Sequence, residues 1–178
     1  GRVRGVPRDP RLPHPVAADA RRQRLSAASG DAVMPRAALR VLQALGALWT
    51  LPNTLAGLLL GSLGFPFGAH VHVRARDLAV GFHRWPWGPG GALTLGNVIL
   101  HTGETLDSTC ATYAHRAGYG DEAQIVLADH ERAHVYQYMV LGPLFLPLYL
   151  ACGGVSVRNR FERAADRYAR MGQSRWPW

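Results

Sequence analysis

Residues 121–141 read DEAQIVLADHERAHVYQYMVL, and both the fold and the chemistry follow outward from this stretch. Gly120 precedes it and Gly142-Pro143 follows it. The stretch is therefore predicted as one helix, with Asp121 as N-cap and Gln124 three residues on. Within it, HERAH places His130 and His134 four apart, on one face and one turn from each other. Two imidazoles at that spacing can share one tetrahedral zinc ion. Glu131 stands beside them, where a carboxylate can take a proton from an activated water as general base. HExxH on a helix is the pattern this chemistry requires. By itself the run is equally compatible with a solvated, charged helix face carrying two unrelated histidines.

A zinc ion held by two histidines needs another protein ligand and an open position. The run NRFERAADRYA at 159–169 offers Glu162, with Asp166 four residues later on the same face of a helix predicted over about 160–171, capped by Asn159. Glu162 is the expected third ligand. Asp166 is expected to accept a hydrogen bond from the distal N–H of a ligand imidazole, His130, and so to hold its tautomer. Each has a second reading. Asn159-x-x-Glu162 is itself a capping box, and Asp166 can pair with Arg163 or Arg170. Ala164, Ala165 and Ala169 are small enough for this helix to approach another closely.

HERAH followed by ERAAD resembles the gluzincin clan of zinc metallopeptidases, which combine HExxH with a downstream ExxxD-type helix. Glu162 follows His134 by 28 positions, a gap similar to that of compact members of the clan. More loosely, LPNTLAGLLLG (51–61), LTLGNVIL (93–100) and HVYQYMVLGPLFLPLYL (134–150) resemble small uncharacterised bacterial proteins and toxin-associated metallopeptidase-like domains. The resemblance implies zinc as cofactor, a peptide or protein substrate, and a small sheet packed on the HExxH helix. It also implies an edge strand beside the cleft, for which 93–100 is the candidate. Such enzymes steady the oxyanion with a His or Tyr. Tyr136, Tyr138, His101 and Tyr168 are all open for that role.

The remainder of the chain sets the frame. Its 178 residues suit one domain with or without a tail. Residues 1–33 are rich in Arg and Pro with no apolar period and read as a disordered basic tail or upstream read-through, with Met34 as a candidate natural start. The expected single domain is 34–178. The formal net charge is +8, supplied by arginine. The basic arm lacks interleaved aromatics, so no nucleic-acid partner is expected. From Val41 to Phe67 no charged residue occurs, and Arg36 and Arg40 precede the segment as they would a membrane anchor. Pro52, Asn53 and Thr54 in its middle predict two shorter helical pieces, either buried or lying at a membrane surface.

Residues 69–83 read as a strand or hairpin, WPWGPGG at 85–91 as a turn and 92–103 as a second strand region. His70 and His72 share a strand face and read as solvent-facing rather than metal-binding. Cys110 and Cys152 match no zinc-ribbon or CxxC spacing and read as two thiols rather than a disulfide. RWPW occurs at 84–87 and again at 175–178, too short for a structural repeat. There is no GxSxG, Walker or GxGxxG motif. The expected class is therefore α+β: a small, mostly antiparallel sheet packed on the HExxH helix and a C-terminal helix, with an apolar N-terminal helical segment. The alternatives are a non-catalytic zinc-binding protein and a small membrane-associated structural protein in which HERAH is incidental.

Overall fold

The computed structural model describes residues 35–88, 90–119 and 124–171. The assigned tail 1–33, Met34, Asp121, Gly172 and the second RWPW lie outside the described residues. Contacts divide the chain into Gly1–Leu39 and Arg40–Trp178. The described part of the first unit is only Pro35–Leu39, and the architecture below is that of the second.

The apolar N-terminal segment forms helices α1 (Arg36–Trp49) and α2 (Leu51–Ser62), bent by 66° between them. The break falls at Thr50, because Pro52 suits the first turn of a helix, where its missing N–H costs nothing. Strands β1 (His70–Arg74) and β2 (Ala79–His83) form an antiparallel hairpin. Residues 92–103, read as one strand region, are a second hairpin: β3 (Ala92–Leu95) and β4 (Val98–His101) joined by Gly96-Asn97. Gly96 takes φ +62, which a two-residue hairpin turn needs and a side chain resists. The sheet order is β1-β2-β4-β3, with β2 and β4 parallel and the other two pairings antiparallel. Of the candidate edge 93–100, only the β3 part lies at an edge, the other edge being β1, and Val98–His101 lies inside the sheet.

Strand β5 (Thr109–Ala111) precedes the short helix α3 (Tyr113–Arg116) and pairs antiparallel with β6 (Gln124–Val126). This corrects the expected helix start. Gln124 belongs to a strand, and the HERAH helix α4 runs Leu127–Leu141. The β-branched pair Ile125-Val126 suits a ladder better than a first helical turn. No side chain caps α4. Its orphan N–H groups find backbone instead: Leu127 N donates to Ser108 O at 3.0 Å and Ala128 N to Leu106 O at 2.9 Å. After Gly142-Pro143 come α5 (Phe145–Ala151) and α6 (Arg160–Arg170). Asn159 caps α6 as expected, accepting from Phe161 N at 3.0 Å.

Register assigns the sheet's two faces. Val80, Phe82, Val98 and Leu100 share the face that meets α2, while Ile99 and Thr94 share the face toward α4. The sheet therefore lies between two helical layers, with α6 packed behind α4 through Ala133 and Ala165. Helix α4 is buried nearly all round, and its buried residues include His130, Glu131, Arg132, His134 and Gln137. Arg132 is held by the buried carboxylate of Asp77, its Nε donating to Oδ1 at 2.6 Å. That pair ties α4 to the β1–β2 turn.

The α4-facing side of the sheet also carries a histidine row, His70, His83 and His101, on three adjacent strands. His70 and His72 are exposed, whereas His83 and His101 are buried with their Nδ1 atoms 3.4 Å apart. Burial, reinforced by His101, His70, His72 and Arg74, holds the His83 imidazole down to about 4 from its usual 6.5. The folded chain therefore refuses a proton that the unfolded chain accepts between those values. Stability from this source is complete above pH 6.5 and is lost as pH falls toward 4, by at most about 3 kcal/mol. Urea denaturation at about pH 4.5 and about pH 7.5 checks this. His83→Gln should flatten the difference. An unchanged pH slope would assign the acid sensitivity elsewhere.

Candidate metal centre

His130 and His134 leave α4 one turn apart toward α6, which supplies Glu162 from its first turn. Their ligand atoms form a nearly equilateral triangle. His130 Nε2 to Glu162 Oε2 is 3.1 Å, His130 Nε2 to His134 Nε2 is 3.2 Å, and His134 Nε2 to Glu162 Oε2 is 3.4 Å. Bonds of about 2.0–2.2 Å to a tetrahedral zinc ion imply donor–donor edges of about 3.3–3.6 Å. The triangle is within a few tenths of an ångström of that shape. All three residues are buried, and together they could hold a metal ion.

The surrounding hydrogen bonds show why a cation belongs there. Gln137, fully buried, donates through Nε2 to Phe161 O at 3.2 Å, which turns its Oε1 to His134 Nδ1 at 2.9 Å. His134 must donate at Nδ1, so its Nε2 presents a lone pair. Asp166 Oδ1 stands 3.0 Å from His130 Nδ1, off the direct hydrogen-bond line, and its other oxygen accepts from Tyr113 N at 3.1 Å. A carboxylate only accepts, so His130 carries its proton on Nδ1 and its Nε2 also faces the triangle. Three electron-rich atoms thus converge, and a proton or a metal ion must lie among them.

In the metal-free chain the positive charge is a proton. Burial alone would lower the pKa of His130, but Asp166 and Glu162 outweigh burial and raise it to about 10. Burial alone would raise that of Glu162, but His130 and His134 outweigh it and hold the carboxyl well below its usual range. Glu162 is not a capping-box residue. Its Oε1 accepts from Tyr149 OH, its Oε2 faces His130, and Asn159 N donates to Ser156 O instead. Arg170 Nε donates to the backbone oxygen of Asp166 at 3.4 Å.

Glu131 reaches from α4 to the sheet edge. Its Oε2 accepts from Thr94 Oγ1 on β3 at 2.6 Å. Glu131, Thr94, Tyr113, Tyr149, Phe145 and Val155 line a cleft that also reaches the three donor residues. Of the four residues considered for the oxyanion, Tyr138 lines this cleft and the other three do not. Tyr136 and Tyr168 pack edge to face 6.1 Å apart beside Ala133 and Ala165, and His101 turns its Nδ1 to His83. The phenols that flank the donors are Tyr113 and Tyr149. Burial, then Glu162 beside them, pushes both well above the usual phenol range, so both stay protonated.

Sequence spacing did not single out Thr94, Gln137, Tyr113 or Tyr149. Gln137, three residues after His134, was the one with a local signal, since that offset shares a helix face. Cys110 and Cys152 are free thiols.

The described chain is thus a mixed α/β domain with a buried His-His-Glu group able to hold a metal ion. No protein-family model matches the chain, nor does any curated protein or solved structure.

Proposed function

We propose that the chain is a zinc-dependent hydrolase of peptide bonds, of the gluzincin type that HERAH and ERAAD resemble. The carrying observation is the triangle of His130, His134 and Glu162 with Glu131 beside it on the cleft wall. Two imidazoles and one carboxylate are a donor set that suits zinc and leaves a coordination position open. When bound, zinc supplies Lewis-acid chemistry, acidifying water and polarising a carbonyl oxygen.

The chain's own residues do the rest. Thr94 holds Oε2 of Glu131, leaving Oε1 to take a proton from water in the cleft and return it to the leaving amine. Tyr149 fixes Glu162, while the protonated Tyr113 phenol is the donor available to a developing oxyanion. The edge strand β3, which supplies Thr94, has one described neighbour, so an extended peptide can pair along its free side. A purely structural metal site has no use for a buried carboxylate steered to the cleft in this way.

The test is metal analysis together with hydrolysis of an unstructured protein such as casein. One zinc per chain and activity lost on chelation and restored by zinc are expected. Substitutions should rank by distance from the metal. Glu162→Gln removes an anionic donor and should weaken zinc binding most. Asp166→Asn should cost about 10–100-fold in affinity, as expected for a group that only orients a ligand. Glu104→Gln, at an exposed residue, should have no effect. Unchanged zinc affinity in Glu162→Gln would move the third ligand elsewhere and remove the main support for the gluzincin reading.

A further inference from the structure

Helix α2 reverses the usual arrangement of side chains. The face it lays on the sheet is built from Gly57 and Gly61. A Cβ at Gly57 would stand 2.8 Å from that of Val98, and one at Gly61 would stand 2.5 Å from the Phe82 ring. The opposite stripe, one residue per turn, is Leu51, Leu55, Leu59 and Leu63, which are 41, 55, 66 and 52% exposed. A helix on a water-soluble protein turns leucine inward and keeps polar residues outside. Small residues at the packing face with leucines outward is the pattern of a helix whose outer solvent is lipid.

The pattern extends beyond α2. On α1 the sole buried residue is Gly46, while Leu42, Leu45, Leu48 and Trp49 are each more than half exposed. On α5, Leu148 and Leu150 are exposed as well. These helices are joined where the chain bends: Asn53 Nδ2 donates to Gly142 O at 3.2 Å, and the Trp49 ring lies against Gly142. No Arg, Lys, Asp or Glu occurs from Val41 to Val73, while the whole chain carries +8.

We propose that the exposed faces of α1, α2 and α5 seat this chain on an anionic lipid bilayer, within one leaflet. Lipid, rather than a second copy of the chain, fits leucines spread over three helices, two of them bent by 66°, because a fluid layer needs no matching shape. The cationic excess complements anionic headgroups. The 66° bend between α1 and α2 favours seating over a straight crossing. At 14 and 12 residues, α1 and α2 reach roughly 21 and 18 Å, short of the about 30 Å of a hydrocarbon core. Among the described residues no single helix is long and apolar enough to cross a membrane, while Arg36–Trp49 and Leu51–Phe67 pass by length and composition only as a bent pair. Helix α5 also lends Leu146 and Tyr149 to the cleft, so the seated chain has one cleft wall beside the lipid.

The experiment is flotation of the full chain with vesicles of phosphatidylcholine, with and without phosphatidylglycerol. The chain should float, and float better with the anionic lipid. The combined change Leu55→Gln, Leu59→Gln and Leu63→Gln should lower partitioning by roughly tenfold or more, since three apolar side chains leave the lipid. Circular dichroism should be unchanged. If that variant does not fold, Leu45→Gln with Leu48→Gln on α1 decides, with the same loss expected. Flotation of folded variants equal to wild type would overturn the proposal. So would a wild-type chain that is a monomer or dimer in detergent-free buffer and stays below the vesicles. Chelation of zinc should leave flotation intact, so this result stands or falls apart from the hydrolase reading.

Discussion

Glu131→Gln is expected to keep one zinc per chain and to lower kcat/KM for peptide hydrolysis by about three orders of magnitude. The substitution is nearly isosteric. The amide oxygen can still accept from the Thr94 hydroxyl that now meets Oε2 at 2.6 Å, so the helix and the donor triangle stay in place. The change removes basicity alone: an amide cannot take a proton from water or carry it to the leaving amine. Glu131 is not among the three residues whose atoms form the triangle, so metal content should not follow activity down. The measurement is paired, with zinc by atomic absorption and initial rates on an unstructured protein from the same preparation. Hydrolysis near the wild-type rate would show that Glu131 is not the base.

Loss of a ligand imidazole should instead remove metal and activity together. Zinc in a four-ligand protein site is bound with an apparent free energy of about 10–16 kcal/mol, so one ligand of four is worth roughly 3 kcal/mol, or at least two orders of magnitude in affinity. His134→Ala and His130→Ala should both reach that loss, and the double variant should retain no stoichiometric zinc. The two differ in what they leave behind. His134→Ala leaves Gln137 without its imidazole partner. His130→Ala leaves two buried carboxylates, Glu162 and Asp166, without the cation between them, and should be the less stable chain when metal-free.

The same cation sets the pH dependence. The proton held by metal-free His130, whose pKa is raised to about 10, contributes stability in full below pH 6.5 and loses it as pH rises through about 10. Zinc must displace that proton, so its apparent affinity should climb with pH across neutrality, and uptake should release protons into a weakly buffered solution. Zinc binding that is independent of pH, or retained in the double variant, would show that the metal sits elsewhere.

What could be read along the chain was local. His130 and His134 lie on one face because they are four apart on a helix, and Glu162 and Asp166 do so for the same reason. Asn159 as N-cap and the break of the apolar segment near Pro52 are likewise short-range effects of side chain on backbone. The Gly96-Asn97 turn between two apolar runs is a local signal as well, and it splits the expected single strand region into β3 and β4. The early helix start had a different cause. Gln124–Val126 is a strand only because Thr109–Ala111 comes to pair with it, and the N–H groups opening α4 are satisfied by Leu106 and Ser108, about twenty residues upstream.

By itself, then, the sequence determined which residues share a helix face and where helices cap, because those depend on neighbours within about one turn. The closing of the donor triangle across two helices depended on tertiary structure. So did the steering of Glu131 by Thr94, the engagement of Tyr149 with Glu162 and the outward turn of the α2 leucines. Each of these depends on groups distant in sequence. From Leu55 to Gly61 every position of α2 is apolar or small, so composition there carries no sign of which side faces in. The sheet chose the glycine side, because only a bare backbone can come that close to Val98 and Phe82.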